Sequence, residues 1–158
     1  MAFKKAKQYL SDMGLGDRIM VFEVSSATVE LAAAAAGTEP ARIAKSLTFK
    51  VDGAPVMIVC AGDAKVSNSK FKAFFHTKAT MLTRDEVSSF IGHEVGGVCP
   101  FGINDGVSVY LDESLRRFDT VYPACGSSNS AVKLSVEELE RASGCIAWID
   151  VCSIPEGI

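Results

Sequence analysis

Residues able to do chemistry cluster in a few short stretches of the 158-residue chain. GHEVGGVCPFGIND, residues 92–105, holds four glycines and a proline. Gly96 and Gly97 can turn successive N–H groups into one concavity, and Pro100 fixes the path out of it. Such a concavity suits an anion or the oxyanion of an ester under attack, although the same residues also make a tight turn into a strand near Val107. His93, six residues before Cys99, raises a second chemistry, because a His–Cys pair can generate a nucleophilic thiolate. No third group stands out to orient that imidazole, and the other histidine, His76, falls at the end of an aromatic helix. In PACGSSNSAV, residues 123–132, Gly126 and the polar side chains from Ser127 onward can hold a polar ligand or simply turn the chain. Finally, Lys45 in ARIAKSLTFKVDG is placed where a short helix hands over to an apolar strand, a position that suits an aliphatic residue better. Either its charge faces a ligand, or its stem packs on the core and its amine reaches water.

Bulk properties narrow the choices. A net charge of −3 argues against a broad basic face that coats nucleic acid. A local basic face stays open, since residues 64–84 hold Lys65, Lys70, Lys72, Lys78 and Arg84 and no carboxylate; a solvated helix face is the favoured reading of such a run, and a phosphate track the alternative. Five cysteines without a C-x-x-C pair read as reduced thiols, neither a disulfide frame nor a zinc site. With only two histidines and no clustered carboxylates, no metal is expected. No apolar run approaches the ~20 residues of a membrane span, and the lysine-bearing start lacks the core of a secretion signal, so a cytoplasmic protein is expected.

These residues need elements to position them. FKKAKQYLSDMG predicts an amphipathic helix over residues 3–13, with Phe3, Ala6 and Leu10 on one side and Gly14 ending it. SSATVELAAAAAG predicts a short helix capped by Ser or Thr and closed by Gly37, and TEPARIA a second one with Thr38 as cap and Pro40 in its first turn. From Ser46 the period changes to that of a strand. Asp52-Gly53 predicts a hairpin turn, and PVMIVCAG a buried strand. Ser67 or Asn68 would cap a helix whose Phe71, Phe74 and Phe75 face the core. Thr83-x-x-Glu86 and Ser135-x-x-Glu138 are capping boxes for two further helices, ended by Gly92 and Gly144. VSVYL, TVYPA, AVKL and CIAWIDV favour strands. This order lacks regular βαβ alternation and predicts an α+β domain with a mixed, curled sheet. With no linker or repeat visible, residues 1–158 are expected to form one domain.

In their order and spacing, AAAAAGTEPARIAKSLTF, MIVCAGDAKVS, GHEVGGVCPFGI, the Asp112 after VSVYL, and ACGSSNSAVKLSVEEL closely resemble the YbaK / prolyl-tRNA synthetase editing-domain family. The resemblance implies a barrel-like mixed sheet surrounded by helices, no cofactor, and hydrolysis of the ester joining a wrong small amino acid to the 3′ end of tRNA-Pro or a related tRNA. The partner would be an aminoacyl-tRNA, held at its 3′ end and acceptor stem, with docking on an aminoacyl-tRNA synthetase left open. By the same resemblance Lys45, Gly96 and Gly97 carry the chemistry, and Ser46, Val98, Cys99, Pro100, Phe101, Gly102, Gly126 and Ser127 border the substrate. Asp112 is structural, and Lys65, Lys70 and Lys72 become the phosphate track. The chain departs from the family at Cys99, where Ser or Thr is common. Such an editor is needed because one methylene is worth only about 1–3 kcal/mol in a binding pocket, so a synthetase cannot exclude every smaller amino acid. Two rivals remain: a non-catalytic module that senses an amino acid or aminoacyl-tRNA, and a Cys99–His93 hydrolase.

Overall fold

In the computed structural model, which describes residues 2–154, the local signals set most of the element ends. Helix α1 (Ala2–Asp12) buries Ala6 and Leu10, and Gly14 leaves it with φ of 78°. A short strand, β1 (Ile19–Val21), leads to α2 (Val29–Ala36). There the Thr28 hydroxyl accepts the Leu31 amide, and Gly37 closes the helix in the left-handed region. Asp52 and Gly53, with φ of 51° and 80°, make the two-residue turn that folds β2 (Ile43–Val51) onto β3 (Ala54–Ala61). Every β3 residue after Ala54 is buried. Both capping boxes form as the spacing predicts, one opening α4 (Arg84–Glu86) and the other α5 (Val136–Ser143).

Strands β5 (Ser108–Asp112), β6 (Thr120–Pro123), β8 (Leu134–Ser135) and β9 (Ala147–Ile149) complete a six-stranded sheet in the order β8-β6-β2-β3-β5-β9. Its pairings are mixed. β2 is antiparallel to β3 and parallel to β6, while β3–β5 and β5–β9 are parallel. The sheet curls into a half-barrel with helices around it, the α+β architecture expected from the order of elements. Two small pairs flank it: β1 with β7 (Ser130–Val132), and β4 (Lys65–Val66) with β10 (Cys152–Ser153). The first and last residues of the range expected to form one domain lie outside the described residues.

Three local expectations change. TEPARIA makes only one 3-10 turn, Pro40–Arg42, with no side-chain cap, because the strand-favouring run from Ile43 takes over at once. Lys45 therefore lies inside β2, not at a helix end. In α3 (Asn68–Phe75), capped by Ser67, only Phe71 is fully buried, while Phe74 is 45% exposed and packs edge-on against Phe75 and Tyr110. The helix opened by Thr83 widens into a π-turn over Val87–Ile91 before Gly92 ends it.

Candidate functional site

A cavity of about 460 Å³ opens between the edge of β2, the start of α2, and two loops. Its walls are mostly aliphatic: Ile43, Leu47, Val29, Ala32, Val98 and Ala131 contribute, with Met81 and Val95 exposed among its residues. The polar exceptions include Lys45, Ser46, Thr48 and Ser130. Volume and lining suit a small organic group with a few polar anchors.

Lys45 reaches the cavity from β2, and its ammonium donates to the Gly62 carbonyl at 3.3 Å. That carbonyl belongs to a braced turn. Arg117 donates to both oxygens of Asp63, at 3.1 and 2.6 Å, and its hydrogen bond is the first reason the Asp63 carboxyl lies below the usual range, with nearby Lys45 adding a little. The Ser114 hydroxyl accepts the Ala61 amide at 3.1 Å. Ser114 is fixed in turn by Asp112, whose buried carboxylate accepts the amides of Ser114 and Val151 at 2.9 Å each. Asp112 is thus structural, as the resemblance implies, and it acts on the turn that holds the lysine. Gly62 must be glycine, since a Cβ there would run into the Pro40 carbonyl and Val29. Next to Lys45, Ser46 lines the cavity and its Oγ is buried without a hydrogen-bond partner among the described residues.

The glycine loop divides at Gly97. On one side Val95, Gly96 and Val98 line the cavity, and the Gly96 amide meets no protein acceptor among the described residues. Gly97 itself does not offer the second free amide expected of it: its N–H donates to Glu94 O at 3.1 Å, and its carbonyl accepts the Gly126 amide at 3.0 Å. A Cβ at Gly97 would stand 2.6 Å from the Ser127 nitrogen, so the residue lets two loops touch. On the other side Cys99, Pro100, Phe101 and Gly102 turn away from the cavity. Phe101 is fully buried against Tyr9. Gly102 abuts the α1 backbone at Lys5, and Gly126 abuts it at Ala2. Their glycines serve helix docking rather than ligand contact. Ser127 also stays off the wall, donating to Asn129 and bonding the hydroxyl of Ser130, which does line the cavity with Ala124 and Ala131.

His93 and Cys99 do meet, with Nδ1 and Sγ 3.8 Å apart. Both are buried, and burial pushes the Cys99 thiol far up while pushing the imidazole down. Neither lines the cavity. A sealed, protonated thiol is no nucleophile for a ligand there.

Of the lysines expected to track phosphates, Lys70 is occupied, donating to Asp150 at 3.0 Å and to the Cys152 carbonyl at 2.9 Å. Lys65 and Lys72 make no ion pair among the described residues. None of the three lines the cavity. Sequence reasoning missed Gly62, Asp63 and Arg117, which come together only through folding, and the residues Ser26–Val29, whose capping signal concealed a second use as cavity wall. Tyr122 carried only the signal of a strand residue, and Met81 none.

The matched sequence model for the aminoacyl-tRNA editing domain spans residues 23–142, and the chain belongs to that family. It is 49% identical over 153 residues to YwhH of Bacillus subtilis (strain 168), covering 96% of this chain and 98% of that one. It is also 24% identical to the proline–tRNA ligase of Geobacillus sp. (strain WCH70), where the match takes in 99% of this chain but 30% of the ligase. Among solved structures, a candidate trans-editing enzyme for prolyl-tRNA synthetase superposes with a TM-score of 0.85 at 26% identity, covering 99% and 98% of the two chains.

Proposed function

We propose that this protein is a free-standing deacylase that hydrolyses the ester of a small, wrongly attached amino acid on a tRNA, tRNA-Pro or a related one, in the cytoplasm. The observation that carries the reading is the convergence of Lys45, from β2, and Gly96, from a loop far along the chain, on one cavity of about 460 Å³. Lys45 holds the terminal nucleotide through its phosphate or ribose oxygens, which sets the ester carbonyl near the Gly96 amide. Water adds to the carbonyl carbon, and the tRNA 3′ oxygen leaves with a proton. The aliphatic wall admits a short side chain and turns away longer ones, which is the sieve that binding alone cannot supply in the synthetase. The whole chain, α1 included, works as one editing domain, with Lys65 and Lys72 meeting the acceptor stem. Likeness to an editing family and to part of a proline–tRNA ligase supports this reading.

Incubating the protein with a panel of mischarged tRNAs tests it. Loss of one or a few small aminoacyl esters is expected; an untouched panel overturns the reading. A second reading, a non-catalytic sensor of aminoacyl-tRNA, draws on Gly97, whose amide is already taken and leaves fewer donors for an oxyanion. Tight binding without ester loss would establish it.

A further inference from the structure

We infer that His93 is a positioning residue, which holds Val95, Gly96 and Val98 against the cavity by accepting the Cys99 amide from behind the loop. The Cys99 N–H donates to His93 Nδ1 at 3.2 Å, and this bond joins the two ends of the segment that supplies those three wall residues. A backbone amide can only donate, so Nδ1 carries no proton and the ring's hydrogen sits on Nε2. Nε2 is buried and meets no partner among the described residues. An orphaned N–H is a cost that a hydrophobic side chain of similar size would avoid. What the imidazole supplies in return is the acceptor at Nδ1, without which the Cys99 amide would itself be buried and unpaired. The loop's other ties, Gly97 to Glu94, Gly97 to Gly126 and Asn104 to Ile91, fix its apex and its base. Among the described residues, only the His93–Cys99 pair closes the segment between them.

No carboxylate balances a charge on this ring. Burial opposes it most; the Phe101 backbone carbonyl favours it, and Lys5, from α1, disfavours it, so that the net direction is down. Cys99, on the same loop, stays a protonated thiol, and so does Cys125 beyond it, pushed up to about 11 by burial although Lys7 pulls the other way. Protonation at Nδ1 would break the Cys99 bond and set a cation beside Lys5. Since burial lowers the His93 value from an ordinary one of about 6.5, the neutral ring and its hydrogen bond persist above that pH. The stability they confer declines as pH falls from there toward the depressed folded-state value. Within the folded protein the ring takes up its proton, and the wall loop loosens, as pH falls through that depressed value.

The kinetic part of this proposal rests on the deacylase reading; the structural part does not. Imidazole ¹⁵N spectra of the wild-type protein at neutral pH should show the Nε2–H form, and the Gly96 and Val98 amides should shift together with His93 on acidification. A proton on Nδ1, or loop amides indifferent to His93, overturns the inference whether or not any tRNA is deacylated. Two variants then separate positioning from mere support. In His93→Asn, Oδ1 replaces Nδ1 as an acceptor that does not titrate, and in His93→Leu the acceptor is lost. Against the tRNA ester that the wild type removes, His93→Leu should lose kcat on the order of 10²-fold, as a displaced catalytic wall does. His93→Asn should keep most of kcat while the wild type's fall in acid flattens. A folded His93→Leu with wild-type kcat, or a His93→Asn as impaired as His93→Leu, refutes the role. If the wild type hydrolyses no ester in the panel, the deacylase reading fails and the spectra still decide for or against His93.

Discussion

The two halves of the glycine loop look alike in sequence and do opposite work. Residues 94–98 face the cavity through Val95, Gly96 and Val98, while 99–102 face α1 and the core. Gly97 is the hinge of that division, pressed against Ser127. One motif that reads as a single binding loop therefore has a front that faces the cavity and a back that faces the core, and substitutions should split accordingly.

The largest effect expected is in the back half. Phe101→Ala empties a fully buried site and should cost about 3–5 kcal/mol, a fall in Tm of roughly 10 °C in a domain of this size, with activity per folded molecule preserved. A Tm close to wild type would mean that the back half is not core. The cavity side answers differently: Lys45→Ala should lower kcat/KM for ester hydrolysis on the order of 10²-fold and leave Tm nearly unchanged, and undiminished turnover would remove the lysine from the mechanism. Between the halves, Gly97→Ala forces a Cβ into the Ser127 backbone and should cost about 1–3 kcal/mol, lowering Tm and kcat together; a variant that loses only one of the two would show the halves to be independent. Cys99→Ser, behind the wall, should cost about 1 kcal/mol for its buried hydroxyl and spare deacylation, so complete loss of turnover in a folded variant would revive a thiol mechanism. The smallest effect concerns the basic stretch. Lys72→Ala should flatten the dependence of log K on log salt by about one unit, whereas Lys70→Ala, already paired with Asp150, should leave that slope alone; equal slopes for both variants would mean that neither meets phosphate.

Much of the framework was legible residue by residue. Thr28 and Gly37, Asp52 and Gly53, Thr83 with Glu86 and Ser135 with Glu138 all form what their types predict, because a cap or a tight turn is settled within a few residues of chain. Of the residues expected at the candidate site, Lys45, Ser46, Gly96 and Val98 do line one cavity. The orientation of the glycine loop was not legible. The resemblance sets Cys99, Pro100, Phe101, Gly102, Gly126 and Ser127 beside the substrate, yet none of them lines the cavity; nothing local distinguishes a glycine that admits a ligand from one that admits a helix. The same holds for Lys70, whose partner Asp150 lies 80 residues away.

From the sequence alone came the caps, the hairpin, the mixed order of helices and strands, and the presence of a cation and a glycine-rich turn suited to an ester. Tertiary structure alone decided which loop face meets the cavity, which lysine keeps its charge free, and that the Asp63–Arg117 pair braces the turn under Lys45. The reason is one of range. Backbone conformation is chosen by neighbours along the chain, but burial and pairing are chosen by neighbours in space, and those are fixed only when the sheet has closed.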